Sequence, residues 1–184
     1  MQNASRSLVQ TALDDPEAFA AIVDHHKAMV FSVAYHFLQD RELAEDLAQD
    51  VFLELFRHLN GIESDAHLTF WLRRATCNKC IDHGRCMKNR GHTSLEQTPE
   101  PGVEPRLPDP YLADTIRKAV LTLPEGKRLI VILRFQEDLE LSEISRLLKM
   151  PINTVKSSLH RALALLKEKL SVLDRANHYG TTRA

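Results

Sequence analysis

The sequence predicts an all-α protein of two small helical domains joined by a flexible, proline-rich linker. Three observations carry this. Apolar residues recur at three- and four-residue spacing along most of the chain, the period of one helix face. The β-branched residues fall on that period instead of alternating, so nothing reads as a sheet. Five of the eight prolines crowd into "TPEPGVEPRLPDP", between Pro99 and Pro110, where apolar periodicity stops and the chain reads as an extended connector. The expected division is 10–92, a linker 93–110, a second domain 111–173 and a tail 174–184.

In the first domain Asp14 or Asp15 can cap a helix with Pro16 in its first turn, and Phe19, Ile22, Val23, Val30, Val33 and Phe37 keep its period. A second helix begins near Asp40 and carries Leu43, Leu47, Val51, Leu55 and Leu59, four apart, until Gly61. After the polar stretch "ESDAH" a third runs from about Leu68 through Trp71 toward Arg85. Trp71, between Phe70 and Leu72, is expected in the core and not as a stacking platform. Beyond the linker come a helix from about Leu112 to Leu121, a break at Pro124, and a helix carrying Leu129, Ile130, Ile132 and Leu133. A short helix with Ile144, Leu147 and Leu148, the turn "KMP" and a long last helix complete the second domain.

That last helix poses the functional question. Val155, Leu159, Ala162, Leu163 and Leu166 form its apolar stripe, whereas Asn153, Thr154, Ser157, His160 and Arg161 lie opposite, with Lys156 on the flank. The outer face holds no acid, unlike an ordinary solvated helix. A short helix, a tight turn and a longer helix of this kind form a helix-turn-helix arrangement, whose outer face suits the DNA major groove.

Composition bounds the rest. The 184 residues are 43% hydrophobic and 27% charged, a globular balance that excludes disorder of the whole chain. No apolar run approaches the roughly 20 residues of a membrane span and the N-terminus lacks signal-peptide character, so the expected location is the cytoplasm, without direct membrane insertion. The formal net charge of −1 hides strong patterning. Residues 1–72 hold 12 acidic against 4 basic residues, 73–92 hold 1 against 6, and 127–184 hold 6 against 11. Local potential, not net charge, decides where a polyanion sits.

The segments "ELAEDLAQDVFLELFRHL", "FWLRRATCNKCID" and "LTLPEGKRLIVILRFQEDLELSEISRLLKMPINTVKSSLHRALALLKEKL", in this order and separated by a linker, resemble the extracytoplasmic-function class of bacterial RNA polymerase σ factors. The resemblance covers both domains. It implies a σ2 domain that binds the polymerase clamp and opens the −10 element, and a σ4 domain that binds the −35 element. By this resemblance Asp46, Gln49 and Asp50 bind core polymerase. The −10 element is met by the loop Gly61 to His67, with Asp65 and His67, and by Arg73, Arg74, Asn78 and Lys79 on the third helix. The −35 element is met by Asn153, Thr154, Lys156, Ser157, His160 and Arg161. The implied partners are core RNA polymerase, promoter DNA and a membrane-anchored anti-σ factor, with no cofactor and no catalysis by this chain. Three departures from the family pattern stand out. Lys149 replaces the turn glycine, which costs stability if that residue takes positive φ. Asn153 replaces a small residue, and Ser158 replaces an arginine, removing one expected DNA contact.

Two other readings compete. A stand-alone helix-turn-helix regulator leaves the first domain's Asp46/Gln49 helix and the "FWLRRATCNKCID" helix unexplained. A metal or redox protein would use Cys77, Cys80 and His83 with Cys86 or His92. Structural zinc pairs sit in tight knuckles and not within a continuous helix, so no metal is expected. An enzyme has no support: there is no Gly-rich phosphate loop or nucleophile elbow.

Overall fold

The computed structural model describes residues 8–12, 15–89 and 110–180, and among these the regular structure is helical throughout. Helices α1 (Leu8–Thr11), α2 (Pro16–Leu38), α3 (Arg41–His58) and α4 (Asp65–Asn89) form the N-terminal group. Helices α5 (Pro110–Leu121), α6 (Glu125–Phe135), α7 (Leu141–Leu148) and α8 (Ile152–Gly180) form the C-terminal group.

Local chemistry explains most boundaries. Asp15 caps α2 by accepting a hydrogen bond from the Glu17 amide at 2.9 Å, with Pro16 opening the helix. The helix closes at Gln39, a left-handed residue whose amide donates to the Tyr35 carbonyl at 2.7 Å. Asp40 then accepts from the Leu43 amide at 3.1 Å and starts α3. This compact hand-over turns the chain back, so α2 and α3 pack along Val30, Val33, Phe37, Leu47, Val51 and Leu55. A 3₁₀ turn, Leu59–Gly61, ends the pair.

Helix α4 begins at Asp65, three residues before the expected Leu68. The reason is Ser64, whose hydroxyl accepts from the His67 amide at 3.2 Å while its carbonyl accepts from the Leu68 amide at 2.8 Å. A side-chain cap of this type stabilises a helix start by about 1 kcal/mol. Likewise α5 starts at Pro110 rather than near Leu112, as proline's fixed φ allows at a first helical position.

In the C-terminal group Glu143 Oε2 accepts from the Glu140 amide at 2.8 Å, fixing the start of α7. Lys149 ends that helix in the left-handed conformation, φ 53 and ψ 43, and the Met150 amide reaches back to the Ser145 carbonyl at 3.0 Å. The conditional cost of replacing the turn glycine by lysine is therefore incurred.

The two domains expected from the sequence pack against each other. One apolar core runs from Ile22, Val33 and Leu72 of the first group into Leu129, Leu133, Ile144 and Val155 of the second. Helix α2 packs on α6, and α4 packs on both α6 and α7. A smaller cluster of Ala119, Leu123, Val131, Ala162 and Leu166 holds α5 and α6 against α8.

Candidate promoter and polymerase interfaces

Burial sorts the residues of α8. Val155 and Ala162 are inaccessible and Leu166 nearly so, with Leu159 packed beside them. Leu163 departs from the expected stripe, since it is 41% exposed. The buried positions 155, 159, 162 and 166 already complete the three-four repeat, and Leu163 falls one step outside it. Asn153, Thr154, Lys156, His160 and Arg161 are exposed and Ser157 is half-buried, its hydroxyl donating to the Thr154 carbonyl at 3.1 Å. The structure thus brings these six side chains onto the outward half of the first turns of α8. No acidic residue lies between Ile152 and Lys167, so this outward half offers a polyanion donors and cations without repulsion.

The residues expected at the −10 element are arranged differently. Asp65 and His67 lie in the first turn of α4 and not in a loop, because of the Ser64 cap. His67 Nδ1 accepts from the Glu63 amide at 3.3 Å, tying the preceding loop to the helix. Arg74 and the exposed Asn78 are one turn apart on a common face. Lys79 turns instead toward α3, where its ammonium lies 3.3 Å from Glu54 and 3.8 Å from Asp50. Arg73 turns toward the C-terminal group and meets Glu137 at 3.6 Å. Burial raises the Glu137 carboxyl above its ordinary range despite the opposing Arg73 charge. Trp71 is half-buried, packed on the core with its ring centroid 6.0 Å from that of His58.

On α3, Asp46, Gln49 and Asp50 are all exposed, opposite the buried Ala44, Leu47, Val51 and Leu55. Leu53 and Phe56 continue the same side at 56% and 63% exposure, and with Phe19, Phe31 and Phe52 they line an apolar groove that Gln49 borders. Sequence reasoning missed this groove. Its signal was the spacing Gln49, Leu53, Phe56, a second apolar line off the leucine stripe.

Cys77 and Cys80 are fully buried in the core, and burial pushes the Cys80 thiol up to about 12 and the Cys77 thiol higher still. Cys86 is exposed, and His92 lies outside the described residues. Among the described residues no three His, Cys, Asp or Glu side chains converge on a metal position. No described helix is long and apolar enough to cross a membrane.

Comparison with known proteins gives these surfaces a family. Residues 22–90 match the σ70 region 2 model and residues 113–166 the σ70 region 4 model, together more than half of the chain. The ECF RNA polymerase sigma factor SigW of Bacillus subtilis is 29% identical over 178 residues, covering 90% of this chain and 95% of the relative. SigE of Mycolicibacterium smegmatis is 30% identical over 161 residues, 82% of this chain and 60% of the relative. The fold is that of the Bartonella quintana sigma factor RpoE, solved in complex with the anti-sigma factor NepR, with a TM-score of 0.66 at 21% identity over 84% of this chain and 97% of that one. With region 2 on the α2–α4 bundle and region 4 on the helix-turn-helix group, the chain belongs to the σ70 family as an extracytoplasmic-function σ factor, a non-enzymatic initiation factor acting with core RNA polymerase on promoter DNA.

Proposed function

We propose that the work of initiation is divided between residues 10–92, which bind core polymerase and open the −10 element, and residues 111–173, which read the −35 element. The single observation that carries the second assignment is the exposed, acid-free outward half of α8, where Lys156, His160 and Arg161 stand beside Asn153 and Thr154. Arginine and lysine there meet phosphates or guanine edges, and asparagine meets adenine. The polymerase contact is assigned to Asp46, Gln49 and Asp50 and extends into the groove at Leu53 and Phe56, where charge supplies orientation and the apolar pair supplies burial. At the −10 element Arg74, Asn78, Asp65 and His67 form the accessible set. Arg73 and Lys79 join it only after releasing Glu137 and Glu54. Pocketing a flipped base and placing cations by phosphates repays the few kcal/mol of unstacking per base.

Control by an anti-σ factor is part of this reading, supported by the Bartonella relative's complex. We place the chain's action in the cytoplasm and the inhibitor's anchor in the membrane. The test is reconstitution. Purified chain and core RNA polymerase are incubated on sheared genomic DNA of the host, and transcript 5′ ends are mapped. A shared pair of upstream elements among chain-dependent transcripts is expected. No chain-dependent transcripts would refute the reading.

A further inference from the structure

The turn between α7 and α8 is gripped by one side chain. Ser145, half-buried on α7, donates its hydroxyl to the Met150 carbonyl at 2.6 Å, and its own carbonyl accepts from the Met150 amide at 3.0 Å. A serine within a helix ordinarily bonds back to the carbonyl four residues before it. This one reaches forward past the end of its helix and holds both backbone polar groups of a single residue. The grip encloses Lys149, which takes φ 53 without being glycine and whose amide meets the Arg146 carbonyl only at 3.4 Å. Strained backbone of this kind persists where the surrounding structure over-determines it, and the Ser145 hydroxyl supplies a bond that does so. Pro151 follows with its fixed φ, and its carbonyl accepts from the Thr154 and Val155 amides at 2.8 and 3.1 Å, opening α8. Little torsional freedom is left between Ser145 and the first turn of α8.

Apolar packing leaves this angle less defined. Ile144, Leu147 and Val155 are buried in the same core, but such contact is non-directional and tolerates a change of helix angle that a directional bond resists. The angle matters because α8 is read as the −35 helix, the reading on which this inference rests. Arg161 lies about 15 Å along the axis from the turn at 1.5 Å per residue, so a swing of about 10° there moves it by about 2.6 Å. A base contact requires placement within about 0.5 Å, whereas the flexible side chains of Lys156 and Arg161 can follow a phosphate through such a shift. We propose that Ser145 is a positioning residue for −35 recognition: without touching DNA, its hydroxyl bond to Met150 holds the strained Lys149 turn and so aims Asn153, Thr154, Lys156, His160 and Arg161 at base edges. Loss of the hydroxyl therefore lowers discrimination between sequences more than it lowers general attraction to DNA.

Ser145→Ala tests this in the complex with core polymerase. The complex is titrated with a duplex carrying the upstream element shared by the chain-dependent transcripts and with the same duplex after that element is scrambled, at a temperature where variant and wild type have equal circular dichroism. The expected outcome is that Ser145→Ala binds the intact element about tenfold more weakly, as for the loss of one good base contact, and the scrambled duplex as well as wild type does. Adding Lys149→Gly should restore the ratio of the two affinities, because glycine adopts the turn without strain, and taking the ratio cancels the effect of the lost lysine charge. Hydrogen exchange of the Met150 amide, which is bonded to the Ser145 carbonyl, should quicken in Ser145→Ala and slow again in the double variant. An unchanged ratio in Ser145→Ala, an equal loss on both duplexes, or no recovery with Lys149→Gly would overturn the inference. Equal binding of both duplexes by wild type would instead remove the promoter reading of α8, and the Met150 exchange rate would still decide whether the hydroxyl holds the turn.

Discussion

Lys149→Gly should stabilise the protein, and the size of the effect follows from one backbone conformation. Lys149 holds φ 53 and ψ 43 where α7 hands over to the turn before α8. A side chain in that region brings Cβ against the following carbonyl, at about 1–2 kcal/mol. Glycine removes that cost but returns about 0.5–1 kcal/mol through its greater freedom when unfolded, leaving a gain of about 0.5–1 kcal/mol. The turn bond from the Met150 amide to the Ser145 carbonyl, 3.0 Å, uses backbone alone and survives the change. Because one core joins both groups, unfolding should be a single transition of a chain of this length, for which 1 kcal/mol moves Tm by about 2–4 °C. Thermal unfolding followed by far-ultraviolet circular dichroism measures it, with Lys149→Ala as the control that removes the charge and keeps Cβ. A Tm that is unchanged or lower in Lys149→Gly, or an equal rise in Lys149→Ala, would refute the strain argument.

Replacing Lys156 and Arg161 together by Ala should leave Tm unchanged, both being exposed, while weakening promoter binding by about 1–3 kcal/mol for a lost base contact and reducing the salt slope for a lost phosphate contact; promoter binding equal to wild type would remove α8 from the DNA. Asp46→Ala with Gln49→Ala should preserve the circular dichroism spectrum, as neither touches the buried stripe of α3, yet lower recovery of the chain on immobilised core polymerase. Iodoacetamide on the native chain at neutral pH should modify Cys86 alone, and denaturation should release Cys77 and Cys80; rapid modification of three thiols in the native state would contradict their burial. The same burial sets an alkaline limit. The Cys80 thiol is raised from its ordinary 9.0 to about 12, so the folded state keeps a proton that the unfolded chain loses. Its contribution to stability is full below about pH 9 and declines as pH rises toward 12, which urea titrations across that range would show.

What the sequence determined by itself was local. Asp15 with Pro16, and Asp40 before its leucine repeat, announced helix starts because a cap bonds to amides two or three residues away. The stripe read at Val155, Leu159, Ala162, Leu163 and Leu166 announced which side of α8 would be buried, at every position but Leu163, and the acid-free opposite side followed from the same periodicity. The family resemblance rested on such segments and so was available before any coordinates. Ser64 was equally local, but its cap competed with a reading of "ESDAH" as loop, which displaced Asp65 and His67 from their expected setting. Tertiary structure decided what depends on residues far apart in the chain. Nothing near Arg73 in sequence indicates Glu137 as its partner, nothing near Phe37 indicates Arg128, and the pairing of Lys79 with Glu54 needs α3 and α4 side by side. Periodicity states that a face is apolar but not which face covers it. The packing of the two helical groups on one another, and so the pairing of Arg73 with Glu137, therefore belongs to tertiary structure alone.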